Sequence, residues 1–109
     1  MTAAGYRGQV QGLRASFENG VRAIFGSEIH ATYIIDHDDS CDVYVFFKRN
    51  EQLAKMGEEQ VMETARKIMS NASIKVYGYD GVVPCVRIHV DTDEQVQKAC
   101  GGNYYMYMT

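Results

Sequence analysis

The chain has 109 residues, of which 46% are hydrophobic and 23% are charged, and its formal net charge is −3. A chain of this length buries roughly two thirds of its unfolded surface and can fold alone, so we expect a single domain over residues 1–109. Its apolar runs are too short to span a bilayer, and its basic residues are dispersed. This argues against a membrane protein and against duplex nucleic acid as the main partner.

The N-terminal segment lacks the basic-then-apolar layout of a signal peptide. The three cysteines, Cys41, Cys85 and Cys100, stand at wide spacings without a C-x-x-C pair. Both features predict a cytoplasmic protein whose thiols stay reduced and pack as small hydrophobic side chains.

Apolar residues at steps of three and four predict an amphipathic helix from about Gly5 to Phe25, ended by Gly26. Its apolar face consists of Tyr6, Val10, Leu13, Phe17, Val21 and Ile24. A second row of small residues, four apart, consists of Gly8, Gly12, Ser16 and Gly20. Glycine inside a helix costs roughly 0.5–1 kcal/mol relative to alanine. The row therefore predicts close approach of a neighbouring helix, the sheet or a second copy in a homodimer; glycines tolerated without a packing role are the alternative.

Two runs with alternating polarity, residues 28–36 and 41–49, predict a β-hairpin. One predicted face consists of Ile29, Ala31, Tyr33, Ile35, Cys41, Val43, Val45 and Phe47, and the other carries Ile34, Tyr44 and Phe46. The connecting turn, Asp36–Ser40, is rich in carboxylates and is followed by Asp42. Such a turn could hold a hard cation, but its spacing matches no EF-hand, so we expect a solvated turn and no metal or other cofactor.

A second helix is predicted from a cap at Asn50 to about Ser70, with an apolar face of Leu53, Gly57, Val61, Ala65 and Ile68. A second hairpin is predicted from Ser73–Tyr79 and Val82–Val90, which flank Asp80-Gly81. The faces of these two runs agree only if Ile74 pairs with Ile88, which requires a three-residue loop, Asp80–Val82, with a glycine bulge.

Thr92 and Gln95 have the spacing of a capping box and predict a short helix that ends at Gly101-Gly102. The aromatic C-terminal segment, Asn103–Thr109, is predicted to be a last strand.

These elements predict an α+β fold with a mainly antiparallel sheet, helices on one face and the order α-β-β-α-β-β-α-β. From Cys41 onward the order matches a ferredoxin-like arrangement with an N-terminal α-β addition. In that arrangement both neighbours of the strand that begins at Cys41 are already taken. Two successive hairpins in one mixed sheet are therefore the alternative.

No nucleotide-binding, lipase-type or zinc-protease motif is present, and three histidines define no catalytic constellation. We therefore expect a non-enzymatic module that binds another protein, as an inhibitor, an adaptor or an assembly subunit. A viral or mobile-element inhibitor of a host nucleic-acid-handling complex is one concrete version, and a homodimer is a further expectation. The predicted partner-binding residues are the outward tyrosines with their neighbours in the strands and the acidic turn: Tyr44, Phe46, Tyr77, Tyr79, Tyr105, Tyr107, Asp38 and Asp39.

Two alternatives stay open. The run Val43–Phe47 resembles the shorter aromatic motif of an RNA-recognition motif, which would imply binding of single-stranded RNA by a ferredoxin-like domain. The longer motif of that family has no counterpart in the run from Val82 to Val90. The other alternative is a small hydrolase of the acylphosphatase type, which needs an arginine in a phosphate-cradling loop with a nearby asparagine. The stretch Lys48-Arg49-Asn50, at a strand end that leads into a helix, is a loose imitation of that pattern.

Overall fold

The computed structural model describes residues 3–37, 40–78 and 85–109, with the backbone alone for residues 3–10. Within these residues the chain forms five α-helices and three strands. They are α1 (Ala3–Phe25), β1 (Ile29–Asp36), β2 (Cys41–Phe47), α2 (Asn50–Met56), α3 (Glu58–Tyr77), β3 (Val86–Thr92), α4 (Asp93–Cys100) and α5 (Tyr104–Met108). The α+β class is as predicted. The predicted element order and the ferredoxin-like arrangement are not confirmed.

The sheet is mixed, with the strand order β1-β2-β3. β1 and β2 form the predicted antiparallel hairpin, but β3 pairs with β2 in parallel. A parallel pair needs a connection that returns the chain to the same end of the sheet, and the helices α2 and α3 provide it. The prediction of a mainly antiparallel sheet is therefore wrong for β3.

A bulge between Ile29 and Ala31 changes which residues of β1 face the core. Beyond the bulge, Ile34 lies opposite Val43 on the core face, whereas Tyr33 lies opposite Tyr44 on the other face. Because one extra residue reverses the side-chain alternation, the predicted shared face of Ile29, Ala31, Tyr33 and Ile35 is wrong after Ile29.

α1 and α3 cover one face of the sheet and enclose the hydrophobic core. The buried core residues are Leu13, Phe17, Val21 and Phe25 of α1, Val61, Ala65, Ile68, Met69 and Ala72 of α3, and Ile29, Ile34, Cys41, Val43, Val45, Phe47, Ile88 and Val90 of the sheet. Ile24, predicted to face the core, is 58% exposed. Phe25 takes its place, because the helical stripe Leu13-Phe17-Val21 continues at a step of four.

The predicted second helix is divided at Gly57, whose φ of 88° stops α2 before α3 begins. α3 then continues past Ser70 to Tyr77, so the predicted strand over residues 73–77 is wrong. The helical spacing of Ala65, Ile68 and Ala72 continues to Val76, which packs against the core. Packing of that face outweighs the strand propensity of the segment. The predicted Asp80–Val82 loop lies outside the described residues.

α4 begins as predicted, since the Thr92 hydroxyl accepts a hydrogen bond from the Gln95 N–H at 3.2 Å. It ends at Gly101, whose φ is 60°. The C-terminal segment is a helix instead of the predicted strand: the Asn103 side chain caps α5 by accepting from the Met106 N–H at 3.0 Å. Within the described residues, none of the helices combines the length and the apolar character needed to cross a membrane.

Candidate functional site

The face of the sheet opposite α1 and α3, here called the outer face, carries nine side chains in three rows. Residues directly opposite one another in paired strands point to the same face. The rows are Ile35-Asp42-Arg87, Tyr33-Tyr44-His89 and Ala31-Phe46-Asp91. The central strand therefore places aromatic rings beside a polar third strand.

Asp42 is the centre of a polar group, the Asp42 cluster, which also contains His37, Ser40, Arg87 and His89. The Arg87 guanidinium donates to both carboxylate oxygens, at 2.8 and 2.9 Å, and also to the Ser40 hydroxyl at 3.2 Å. Nε2 of His89 lies 2.8 Å from one oxygen and Nε2 of His37 lies 2.8 Å from the other. Hydrogen bonding from Arg87, reinforced by the two imidazoles, holds the pKa of the Asp42 carboxyl far below its ordinary value despite partial burial.

The Asp42 cluster joins segments that are distant in the chain. His37 belongs to the β1–β2 connection, Asp42 to β2, and Arg87 and His89 to β3. The carboxylate accepts four hydrogen bonds and its charge is balanced by one guanidinium. Such an arrangement stabilises the sheet, and it leaves neither imidazole with a free Nε2 for proton transfer.

α5 packs across the outer face, on the side where no helix was predicted. The ring centroid of Tyr104 lies 4.9 Å from that of Phe46, edge to face, and Phe46 is fully buried. Tyr104 donates to Asp93 and Tyr107 donates to Asp91. Burial, with the hydrogen bond to Asp91 as the next cause, raises the pKa of Tyr107 to about 12. α5 is thus held by two phenol–carboxylate hydrogen bonds and an aromatic contact.

The outer edge of β3 presents backbone groups that do not bond to the sheet. The Cys41 N–H donates to the Cys85 carbonyl at 3.1 Å and sets the phase of the β2–β3 ladder. In a parallel ladder alternate residues direct both N–H and C=O to the neighbouring strand. Along β3, Arg87, His89 and Asp91 therefore direct their backbone N–H and C=O groups toward β2. The N–H and C=O groups of Ile88 and Val90 point away from β2. Within the described residues these outward groups have no hydrogen-bond partner.

The opposite edge of the sheet, on β1, is occupied by arginine side chains of α1. Arg14 donates to the Ile34 carbonyl through Nε and Nη2, at 3.3 and 3.0 Å. Arg22 donates to the Ile29 carbonyl at 3.3 Å. Charged side chains on a strand edge prevent pairing with a further strand, so β1 is protected, whereas no side chain of the described residues bonds to the outward backbone groups of β3.

A cleft of about 420 Å³ runs beside β3 and is here called the edge cleft. It is lined from both faces of the strand, by Tyr44, Glu58, Met62, Ile88, His89, Val90, Asp91 and Tyr107. Met62 lies on the side of the core, whereas Tyr107 and Asp91 lie on the outer face. A cleft with these two walls follows the strand edge rather than either face of the sheet.

The predicted partner-binding residues that the structure describes are distributed over several parts of the fold. Tyr44 and Tyr107 line the edge cleft, Phe46 is buried beneath α5, and Tyr77 packs against the core from the end of α3. Tyr105 is 78% exposed. Tyr79, Asp38 and Asp39 lie outside the described residues.

The predicted glycine row is used, at two of its four positions, for packing within the chain. A Cβ on Gly20 would lie 2.7 Å from Cγ2 of Ile68, and one on Gly12 would lie 3.8 Å from Val76, both on α3. Ser16 and Gly20 also line a groove of about 450 Å³ between α1 and α3. Gly8 has a helical backbone, and its surroundings lie outside the description. The close approach is therefore between two helices of one chain; self-association through this row stays a prediction.

The meeting of Asp42 with Arg87 and His89 was not anticipated from the sequence. The sequence shows that Arg87, His89 and Asp91 alternate with apolar residues and so form one polar face of a strand. It does not show which residues of the neighbouring strand lie opposite them. Among the residues described, no group of three or more His, Cys, Asp or Glu side chains is arranged to hold a metal ion. His30, the remaining histidine, stacks on Tyr104 with ring centroids 5.7 Å apart.

No protein-family model, no curated protein and no solved structure matches this chain. The candidate site therefore has to be interpreted from its own geometry.

Proposed function

We propose that this protein is a non-enzymatic binding module that takes up an extended segment of another protein as an additional strand along the edge of β3. The observation that carries the proposal is the set of outward N–H and C=O groups of Ile88 and Val90, which lack a partner within the described residues. Backbone polar groups in folded proteins are nearly always paired, and an added strand pairs them in register.

The two edges of the sheet differ, and the difference favours the edge of β3 as the docking site. Arg14 and Arg22 donate to two carbonyl groups of β1, those of Ile34 and Ile29, so a further strand there would have to displace two arginines. β3 lies instead beside the edge cleft. An inhibitor, an adaptor and an assembly subunit are all compatible with a module of this kind.

The walls of the edge cleft fit the alternating side chains of an extended segment. Successive residues of a strand point to opposite faces. One set would therefore meet Met62 on the core side, where an apolar residue fits. The other would meet His89, Asp91 and Tyr107 on the outer face, where a polar residue fits.

The alternatives draw less support from the geometry. Stacking of RNA bases would use Tyr44 and Phe46, but Phe46 is buried and the Tyr44 hydroxyl donates to the Met108 carbonyl. A phosphate cradle would need the side chains of Arg49 and Asn50 directed to one site, whereas the Asn50 amide is oriented by a hydrogen bond that its oxygen accepts from the Thr92 hydroxyl at the end of β3.

The test uses an acetylated, amidated seven-residue peptide in which valine and threonine alternate, titrated against the ¹⁵N-labelled protein. We expect the amides of Ile88 and Val90 to shift and to exchange with solvent about tenfold more slowly at saturation, because they gain hydrogen bonds. The control is the same peptide with alternate amides N-methylated, which cannot pair along one side. Equal effects of both peptides, or protection at Ile34 on β1 in place of β3, would refute strand addition.

A further inference from the structure

We infer that the edge cleft contains a subsite for a basic side chain of the bound segment, and that arginine fits it best. The inference rests on the proposed function and specifies the chemistry of the partner. It is carried by Asp91, a carboxylate in the wall of the cleft that forms no ion pair within the described residues.

The carboxylate of Asp91 is oriented and still has accepting capacity. Oδ1 accepts from the Thr92 N–H at 2.9 Å, and Oδ2 accepts from the Tyr107 hydroxyl. A carboxylate offers about four lone-pair positions, so the two oxygens can still accept both N–H groups of one side of a guanidinium. The hydrogen bonds from Thr92 and Tyr107 fix the rotamer and reduce the entropy lost on binding.

The walls around Asp91 favour a planar cation. Tyr107 lines the same cleft, and an aromatic ring attracts a guanidinium through its face. The ring of Tyr44 stacks on His89, with ring centroids 4.5 Å apart, and completes the wall beside it. Glu58, which is exposed, adds a second carboxylate to the lining of the cleft. Arg87, the nearest arginine along β3, is paired with Asp42 and does not neutralise Asp91.

The charge of the neighbouring groups agrees with this assignment. The Asp42 carboxylate and the Arg87 guanidinium cancel, so the edge cleft keeps the negative charges of Asp91 and Glu58. A segment with an acidic residue at this position would place like charges together in a partly enclosed site. We therefore expect selection both for a basic residue and against an acidic one.

The experiment compares four versions of the valine–threonine peptide: the neutral parent, and forms in which the central threonine is replaced by arginine, citrulline or glutamate. Citrulline has the shape of arginine without its charge. Affinities are measured by NMR titration at low and at high salt. We expect the arginine peptide to bind about tenfold more tightly than the citrulline peptide, the glutamate peptide to bind most weakly, and the arginine preference to shrink with salt.

The protein variants are Asp91→Asn and, as a control of equal charge change, Glu63→Gln, which lies on the exposed side of α3 away from the cleft. Asp91→Asn should bring the arginine-to-citrulline ratio close to one, while Glu63→Gln should keep it near its original value. Circular dichroism checks that both variants fold. The ratio of the arginine-peptide affinity to the citrulline-peptide affinity in the unmodified protein tests the inference without any variant.

The outcomes separate the two proposals. If the parent binds but arginine and citrulline bind equally, the basic subsite is refuted and strand addition stands. If the preference survives in Asp91→Asn, the assignment to Asp91 is refuted. If none of the four peptides binds, strand addition fails and the subsite fails with it.

Discussion

Replacing Gly20 by alanine tests the packing of α1 on α3 directly. The new methyl group would lie 2.7 Å from Cγ2 of Ile68, a distance that carbon atoms do not adopt without displacement. Cγ2 is attached to the Cβ of a buried, branched side chain, which has little freedom to rotate away. Overpacking of this kind costs about 1–3 kcal/mol. Alanine offsets about 1 kcal/mol of that through its helix propensity, so we expect a net destabilisation of about 1 kcal/mol.

Gly12→Ala is the matched control, because the same substitution on the same helix meets a different neighbour. Its Cβ would lie 3.8 Å from Val76, an ordinary contact distance. We therefore expect a stabilisation of about 0.5–1 kcal/mol from helix propensity alone. The two variants should differ by about 2 kcal/mol, or roughly 8 °C in melting temperature for a domain of this size.

Thermal and urea unfolding followed by circular dichroism measure both variants. Ile68→Leu removes the branched methyl group at nearly constant volume, so Gly20→Ala should be better tolerated in that background than in the original one. If Gly20→Ala is as stable as Gly12→Ala, the close packing of the two helices is refuted. Light scattering on the same samples tests self-association, which should weaken in both variants if the glycine row joins two copies.

Three further predictions concern titratable groups. Because folding lowers the pKa of Asp42, the ionised carboxylate stabilises the fold fully above the ordinary value of 3.8, and this stabilisation is lost as the pH falls below it. Asp42→Asn should lower the free energy of unfolding at pH 7 by about 1–3 kcal/mol and should weaken the dependence of that free energy on acid pH. Burial, with the neighbouring carboxylates, raises the pKa of Cys41 to about 12, so Cys41 should resist a thiol reagent at pH 8 while the exposed Cys85 reacts. Since folding raises the pKa of Tyr107 from 10 to about 12, the stabilisation that the protonated phenol provides should be lost as the pH rises from 10 to 12. Tyr107→Phe should remove this pH dependence and should lower the free energy of unfolding by about 1 kcal/mol.

Each of these predictions has a result that contradicts it. Identical acid unfolding curves for Asp42→Asn and the unmodified protein would show that the Asp42 cluster contributes no stability. Rapid modification of Cys41 in the folded protein, assayed with Cys85→Ser, would contradict its burial. Unchanged amide exchange in α5 of Tyr107→Phe would show that the hydrogen bond to Asp91 does not hold that helix.

Elements set by local patterns could be predicted from the sequence. The stripe of Leu13, Phe17 and Val21 defines α1, the alternation on either side of the acidic turn defines the β1–β2 hairpin, and Thr92 caps α4. Each of these signals involves residues close in the chain, so that side-chain spacing or one side-chain hydrogen bond is enough to specify the conformation. The α+β class follows from the same signals.

The end of α3 and the C-terminal segment show where local propensity was overruled. Residues 73–77 and 104–108 are rich in branched and aromatic residues, which favour strands when only near neighbours count. Val76 instead gains burial as the continuation of the helical face of α3, and Tyr104 and Tyr107 gain contacts with Phe46 as parts of a helix. Contacts with distant residues decided both conformations.

The candidate site depends on the same long-range information. A sequence shows which residues alternate along β3, but not that β3 lies parallel to β2, and an antiparallel partner would have placed different residues opposite Asp42. The sequence by itself determined the α+β class, the first helix and the first hairpin. Only the tertiary structure decided the pairing of Asp42 with Arg87, the covering of Phe46 by α5 and the outward direction of the backbone groups of Ile88 and Val90, because each arises from contacts between segments far apart in the chain.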